Sequence, residues 1–304
     1  MALNKEIWLN TIQENFFPDD SFAAHSVDDS MFVENKTVHI PNAGAPSGVV
    51  INRQDNNKGS NSGQAKRTDN DLTYNIDELT TNPIYIPEIE KTELSYDKRQ
   101  SVIMNDRQQL QDTAAQNLLY KWYVKASAIE TTGSARAAHT SSTATGTRKA
   151  ITKENVLTIA TEFNKMNVPA NDRYLLLDAV MYADLLAALT GSDLPAFLAS
   201  ANAQKGIVGN LYGINVMMRS QVLKCKANKD LLEYSDTAVA AECAVGLAWQ
   251  KNCVSRALGE VKMFDNLDDP TWYGDIYSFL LRTGGSPRRY DKLGIVPIVE
   301  VAAS

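Results

Sequence analysis

Histidine and cysteine are scarce in this sequence, with three of each in 304 residues. Cys225, Cys243 and Cys253 are odd in number and show no Cys-x-x-Cys spacing. That pattern excludes a disulfide scaffold and predicts buried free thiols in a reducing compartment. His25, His39 and His139 lie far apart, with no pair spaced to reach one metal from a helix face, so no metal site is expected. No glycine is followed by lysine, which excludes a P-loop, and neither G-x-S-x-G nor G-x-G-x-x-G occurs. Gly206, Gly209 and Gly213 are spaced wrongly to cradle a pyrophosphate, and no cofactor is expected. Positive charge is also in deficit: the net charge is -6 and the pI near 5.2. A surface that grips nucleic acid throughout would need the opposite balance, although local basic patches are compatible with it. No apolar run reaches membrane-spanning length, and Asn4, Lys5 and Glu6 interrupt the start where a signal peptide needs an apolar core. The reading is a cytoplasmically made chain with no membrane partner.

The 44% apolar content is ample for a core in one large domain or two modest ones. Residues 3–17 predict a short amphipathic helix ended by Pro18. The patchy stretch to residue 42, with a strand at Thr37–Ile40 stopped by Pro41, reads as an arm that packs on something else, such as another subunit. Val49–Ile51 and Leu72–Ile76 read as the arms of a long projecting hairpin. Its tip is polar and carries Arg53, Lys58, Lys66 and Arg67, whereas Asp77, Glu78, Glu88, Glu90 and Glu93 follow on the return side. These four basic residues are the candidate inter-subunit contacts; ordinary solvated loop charges are the competing explanation.

From Ser101 to Glu130 there is neither Pro nor Gly, and Leu110, Ala114, Leu118 and Trp122 recur every four residues. The stripe continues through Ala126 and Ile129, which predicts one long helix ended by Gly133. Residues 131–150 are Ser/Thr/Ala-rich and read as an exposed loop. Thr152 with Asn155 predicts the N-cap of a second helix through Met166. Then come a strand Tyr174–Leu177, a helix Ala179–Leu189 with Val180, Leu185, Ala188 and Leu189 on one side, and a tight Gly-bearing hairpin whose second arm is Ile214–Met218. Val239–Leu247 suits a buried strand or helix, Ile276–Leu281 a strand, Gly284–Pro287 a turn and Ile295–Val301 a final strand. Helices and strands mix without βα alternation, so the fold class is α+β.

Nothing in this pattern pairs a nucleophile with a base. Asp265, Asp268 and Asp269 read as an acidic turn rather than a calcium loop, because the alternating ligand spacing and central Gly are missing. Arg288, Arg289 and Lys292 form a basic spot, read as a solvated cluster or inter-subunit pair rather than a phosphate contact. Trp122–Tyr123 and Trp272–Tyr273 read as packing or interface anchors.

The order of parts resembles the phage major capsid proteins of the HK97-like fold. The elements that carry it are the arm, the charged hairpin, the long helix, the Pro169 to Leu189 segment with its Arg-Tyr-Leu-Leu-Leu-Asp run, and Gly209 to Ser220. The resemblance implies an arm over 1–40, an extended E-loop-like hairpin over 41–95 and a spine helix with the first part of a peripheral domain over 96–167. It further implies an axial domain over 168–245 and the return of the peripheral domain with C-terminal strands over 246–304. It implies no catalysis but self-assembly into hexamers and pentamers of an icosahedral head enclosing double-stranded DNA, located in the virion and made in a host cytoplasm. Partners would be other copies of the chain, packaged DNA without sequence specificity, and separate scaffolding, portal or decoration proteins. An encapsulin-like nanocompartment shell, or an enzyme with 131–150 as an active-site lid, are the alternatives.

Overall fold

A computed structural model describes residues 21–34, 36–44, 67–88, 98–233 and 236–303. The expected helix at 3–17, the Val49–Ile51 strand and the tip residues Arg53, Lys58 and Lys66 lie outside these residues.

The chain opens with a short helix α1 (Ser21–Ala24), strands β1 (Val27–Asp28) and β2 (Val33–Glu34), and β3 (Thr37–Asn42). Strands β4 (Asn70–Asn75), β5 (Asp77–Thr80) and β6 (Ile84–Pro87) follow, then the long helix α2 (Lys98–Trp122). The arms of the long hairpin are β3 and β4, in register from Thr37↔Asn75 to Asn42↔Asn70. Leu72–Ile76 therefore pairs with the strand expected at 37–40. That strand also runs past Pro41, because β2 reaches only Val38 on its other side and leaves Pro41 at an open edge where no ladder donor is required.

After α2 come β7 (Ile129–Glu130), β8 (Ala135–Ala137), β9 (Thr147–Lys149) and helix α3 (Lys153–Lys165), which starts at the expected N-cap Thr152, where Thr152 and Asn155 form a capping box. Strand β10 (Arg173–Asp178) leads directly into helix α4 (Ala179–Ala188), whose N-cap Asp178 accepts from Met181 N–H at 2.7 Å. The buried stripe of α4 is Met181, Leu185 and Leu189, with Val180 only half-buried. Helix α5 (Asp193–Ala199) precedes the hairpin of β11 (Ile207–Leu211) and β12 (Ile214–Arg219). Tyr212 and Gly213 form its two-residue turn, both at positive φ (52° and 78°), as primed turns require. The chain ends with β13 (Leu223–Cys225), β14 (Leu231–Leu232), β15 (Cys243–Gln250), β16 (Val254–Asp269), β17 (Gly274–Pro287) and β18 (Ile295–Val299).

Two sheets dominate. In the first, β15 is central and every one of its residues is buried. It pairs with β10 and β13 along one side and β18 along the other; β12 and β11 extend the sheet beyond β10. Alternation decides which side each residue serves. Tyr174, Leu176, Val245, Leu247 and Trp249 face a core completed by Phe22 and by Ala115, Leu118, Leu119 and Trp122 of α2. Leu175, Leu177, Ala244, Ala248 and Ile298 face a second core completed by α3 and α4. The second sheet is the long antiparallel ladder of β16 and β17, with β5 and β6 on the far side of β17 and β1 parallel to β16. Helix α2 lies against both sheets, because Leu110 and Ala114 pack on Met263, Phe279 and Leu281 one to two turns before Leu118 and Trp122 enter the first core.

Three expectations are corrected. Helix α2 stops at Trp122 rather than continuing to Glu130: Trp122 Nε1 donates to the Ser255 carbonyl at 2.8 Å, Val124 is extended (φ -125°, ψ 100°), and Ile129–Glu130 pair with β18. Tertiary pairing here overrides a helical stripe. Gly284–Pro287 is the end of β17, not a turn. A Cβ on Gly285 would stand 2.3 Å from Leu118 Cδ1 and 3.0 Å from the Ser255 carbonyl, so this glycine lets the long helix approach the sheet backbone. The described part of the arm, finally, packs on its own chain. Phe22 is T-stacked on Trp122 and Trp249, His25 stacks on Tyr174 at 4.1 Å, and Trp249 Nε1 donates to the His25 carbonyl at 2.9 Å.

Candidate functional site

Residues 131–150 are not an exposed loop. β8 and β9 form a two-stranded ribbon tied to the end of β18 by Thr131 N–H to the Val299 carbonyl (3.0 Å) and Lys149 N–H to the Val301 carbonyl (2.9 Å). Arg148 is buried beneath it and donates through Nε and Nη2 to the Glu242 carbonyl at 3.1 and 2.8 Å. Guanidinium donors thus satisfy loop carbonyls that a buried turn would otherwise leave unpaired.

Beside Arg148 lies a polar cluster contributed by four separate stretches of chain. Arg136 of β8 pairs with Asp184 of α4 through Nε and with Glu300, just past β18, through Nη2. Its Nη1 stands 2.7 Å from His139 Nδ1. Because guanidinium only donates, Nδ1 accepts; the ring proton then sits on Nε2, 2.8 Å from Asp178 Oδ2. Glu300 is fully buried at its side chain and accepts from Ala244 N–H at 3.4 Å. Burial pushes its carboxyl up to about 7, against the opposing pull of Arg136 and His139.

The cluster borders a cavity of about 350 Å³ lined by Gln116, His139, Asp178, Leu223, Lys224 and Glu242 among others. A histidine beside a carboxylate and an open cavity is the geometry from which a general base is built. Here both ring nitrogens are engaged, one by Asp178 and one by Arg136, so neither is free to take a proton from a nucleophile. The arrangement is that of a clasp, joining the ribbon to α4 and the C-terminal strand. Sequence reading left His139 without a partner because Asp178, Arg136 and Glu300 lie 39, 3 and 161 positions away, and only the meeting of β10, β8 and β18 brings them together. The signal that was available is the isolated Glu300 inside an apolar strand end, a charge that burial requires to be paired.

The cysteines are free and buried, and burial pushes the Cys225 thiol up to about 12, far from a reactive thiolate. Among the described residues, no group of three His, Cys, Asp or Glu side chains could hold a metal ion. Of the four predicted contact residues only Arg67 is described. It is exposed and engaged by Asp69, two residues on and just before β4, at 2.6 Å. Arg288 pairs with buried Asp29 at 3.2 Å and Arg289 with Asp291 at 2.5 Å, so the C-terminal basic spot forms pairs within the chain. Trp122 is a core anchor at 0% exposure, whereas Trp272 and Tyr273 stand out at 60% and 78%.

No family model and no curated protein matches the sequence. Solved structures do. The chain is similar to the capsid of Cyanophage P-SCSP1u with a TM-score of 0.64 at 16% identity, over 92% of this chain and 87% of that one. It is similar to the capsid of Ralstonia phage GP4 with a TM-score of 0.62 at 13% identity, over 92% and 88%. The fold is the HK97-like capsid fold. A virus-like particle from Pyrococcus furiosus is similar as well, with a TM-score of 0.56 at 10% identity over 97% and 99% of the two chains. Within this fold, the clasp of Arg136, His139, Asp178 and Glu300 lies at the junction between the ribbon and the central sheet.

Proposed function

We propose that this chain is a major capsid protein, a non-enzymatic subunit that self-assembles into hexamers and pentamers of an icosahedral phage head around double-stranded DNA. The observation that carries the proposal is the likeness to phage capsids over about nine-tenths of the chain. In this reading 1–40 is the arm, 41–95 the extended hairpin and 96–167 the spine helix with the start of a peripheral domain. Residues 168–245 form an axial domain gathered around a capsomer axis, and 246–304 return to the peripheral domain. The hairpin tip, with Arg53, Lys58, Lys66 and Arg67, reaches acidic residues of a neighbouring subunit. Scaffolding, portal or decoration proteins are separate chains, and the packaged DNA is contacted without sequence specificity.

Purified protein should form rings or closed shells by negative-stain microscopy, alone or with a co-expressed scaffold. A chain that stays monomeric at high concentration under both conditions would sink the proposal. The second reading, a nanocompartment shell that holds protein rather than DNA, is not better supported: the virus-like particle covers 97% and 99% of the two chains at a TM-score of 0.56, against 0.64 and 0.62 for the two phage capsids. Nuclease-protected DNA in particles from the native source separates the two.

A further inference from the structure

Two of the three cysteines face each other across a strand pair. The ladder of β13 and β15 sets Leu223 opposite Val245, Lys224 opposite Ala244 and Cys225 opposite Cys243. Side chains alternate across a sheet, so Cys225 and Cys243 point to the same side of it, and both belong to the first core with Leu223 and Val245. Backbone bonds on the other edge of β15 fix the type of pair. Glu300 N–H donates to the Ala244 carbonyl and Gln250 N–H to the Gly294 carbonyl, both at 3.0 Å. Even-numbered residues of β15 therefore aim their backbone groups at the β18 side, and odd-numbered ones at β10 and β13. Cys225 and Cys243 are thus a hydrogen-bonded pair, with Cα atoms about 5.5 Å apart. That spacing lies within the range of about 4.4–6.8 Å that a disulfide spans.

Cys253 is placed differently. It follows β15 in a turn, its Sγ stands 3.6 Å from Gln250 Oε1, and the charged groups near it are Arg289 and Asp291. Strands β13 and β14 are the last on their side of the sheet. The chain between Cys225 and Cys243 lies largely at the surface, with Lys226, Ala227, Asn228, Asp230 and residues 236–241 exposed. Leu232, Glu233, Asp236 and Ala238 of the same segment line the cavity beside the clasp. Fraying of this sheet edge is the route by which a reagent reaches the paired thiols.

We propose that Cys225 and Cys243 form a reversible redox pair, a dithiol in reducing surroundings and a disulfide once the chain meets a low-molecular-weight disulfide oxidant. Cys243, at the frayed end of β15, reacts first: its thiolate attacks one sulfur of the small disulfide, expels one small thiolate and leaves a mixed disulfide. The Cys225 thiolate then attacks Cys243 Sγ and expels the second. Two protein thiols lose two electrons and two protons, and the oxidant becomes two thiols. Burial raises both thiols above their usual value, so the reaction is slow at neutral pH and quickens as pH rises. Opposite Cβ atoms in a hydrogen-bonded pair stand at the wide end of about 4.5–5.5 Å, against about 3.5–4.5 Å across a disulfide. The strand end must tighten by roughly 1 Å to close the bridge, and a bridge closed under strain is readily reduced again. Closed, it ties residues 226–242 at both ends and fixes that wall of the cavity. The pairing belongs to the folded chain and does not depend on the shell reading.

The test incubates the folded full chain with oxidised glutathione at pH 8, then counts free thiols in urea and maps tryptic peptides without reduction. The expected product has lost two hydrogens in mass, keeps Cys253 as its one free thiol of the three, and joins the Cys225 and Cys243 peptides. Three free thiols, stable glutathione adducts on Cys225 or Cys243, or a bridge that includes Cys253 would each overturn the proposal. Cys253→Ser should give the same joined peptides, and this variant keeps the test sound if the Cys225→Ser or Cys243→Ser controls fail to fold. As a second readout, native-state tryptic cleavage after the exposed Lys226 should slow by about tenfold or more on oxidation and recover on reduction. An unchanged cleavage rate in the bridged chain would overturn the claim that the bridge ties this segment down.

Discussion

Glu300 is the residue whose environment departs furthest from what its type prefers. Its carboxyl is fully buried, its value rises from 4.5 to about 7, and its partners Arg136 and His139 come from a ribbon more than 160 positions away. Between these two values the folded chain holds a proton that the unfolded chain has released. Stability should therefore be greatest at the acidic side of that window and fall as pH rises from about 4.5 to 7. The whole effect is on the order of 3 kcal/mol. Urea denaturation of unassembled protein at pH 5 and pH 8 measures it. Glu300→Gln, a neutral isostere of the protonated form, should flatten the difference; an unchanged slope in that variant would assign the titration elsewhere. Arg136→Met should destabilise by about 3–5 kcal/mol above pH 7, because it strands Glu300 as a buried charge and leaves half-buried Asp184 without this partner, and by less at pH 5 where Glu300 is protonated. Thermal unfolding at the two pH values separates these outcomes.

At the scale of elements, α2 organises the molecule because one face of it serves two cores. Leu110 and Ala114 close the β16–β17 sheet, and Ala115, Leu118, Leu119 and Trp122 close the central one. The i, i+4 stripe that predicted this helix is read from residue type alone, and it is borne out from Leu110 to Trp122. Its end was not legible, since Ala126 and Ile129 keep the helical spacing while the chain actually turns to pair with β18. Gly285 marks where the helix presses on the sheet. Gly285→Ala should cost about 1–3 kcal/mol through overpacking against Leu118 and the Ser255 carbonyl. A variant with the parent's midpoint in urea would show that the seam is loose. The same glycine explains why Gly284–Pro287 looks like a turn in sequence: residues that usually break a strand are here the ones small enough to lie under a helix.

For the whole molecule, assembly is the property to measure. The arms of the hairpin, β3 and β4, form a small sheet of their own with β2, and its basic tip is proposed to meet acidic residues of a neighbour. Reversing Lys66 and Arg67 to Glu should leave the circular dichroism spectrum unchanged and reduce assembly most at low salt. Each exposed pair is worth only about 0–1 kcal/mol and is screened, but a closed shell repeats it in every subunit. Assembly at the parent's yield in low salt would remove these residues from the interface.

By itself, the sequence determined the α+β class, the long helix from Leu110 to Trp122, the N-cap at Thr152, the strand Tyr174–Leu177 with the helix after it, and the tight hairpin whose second arm is Ile214–Met218. Each rests on interactions within a few residues, where spacing and side-chain type decide the outcome. The tertiary structure alone decided the partner of β4, the end of α2, the strand character of Gly284–Pro287, and the ribbon with its clasp of Arg136, His139, Asp178 and Glu300. Those features depend on residues brought together from distant parts of the chain, and a buried charge or a helix pressed onto a glycine has meaning only once the facing surface is in place.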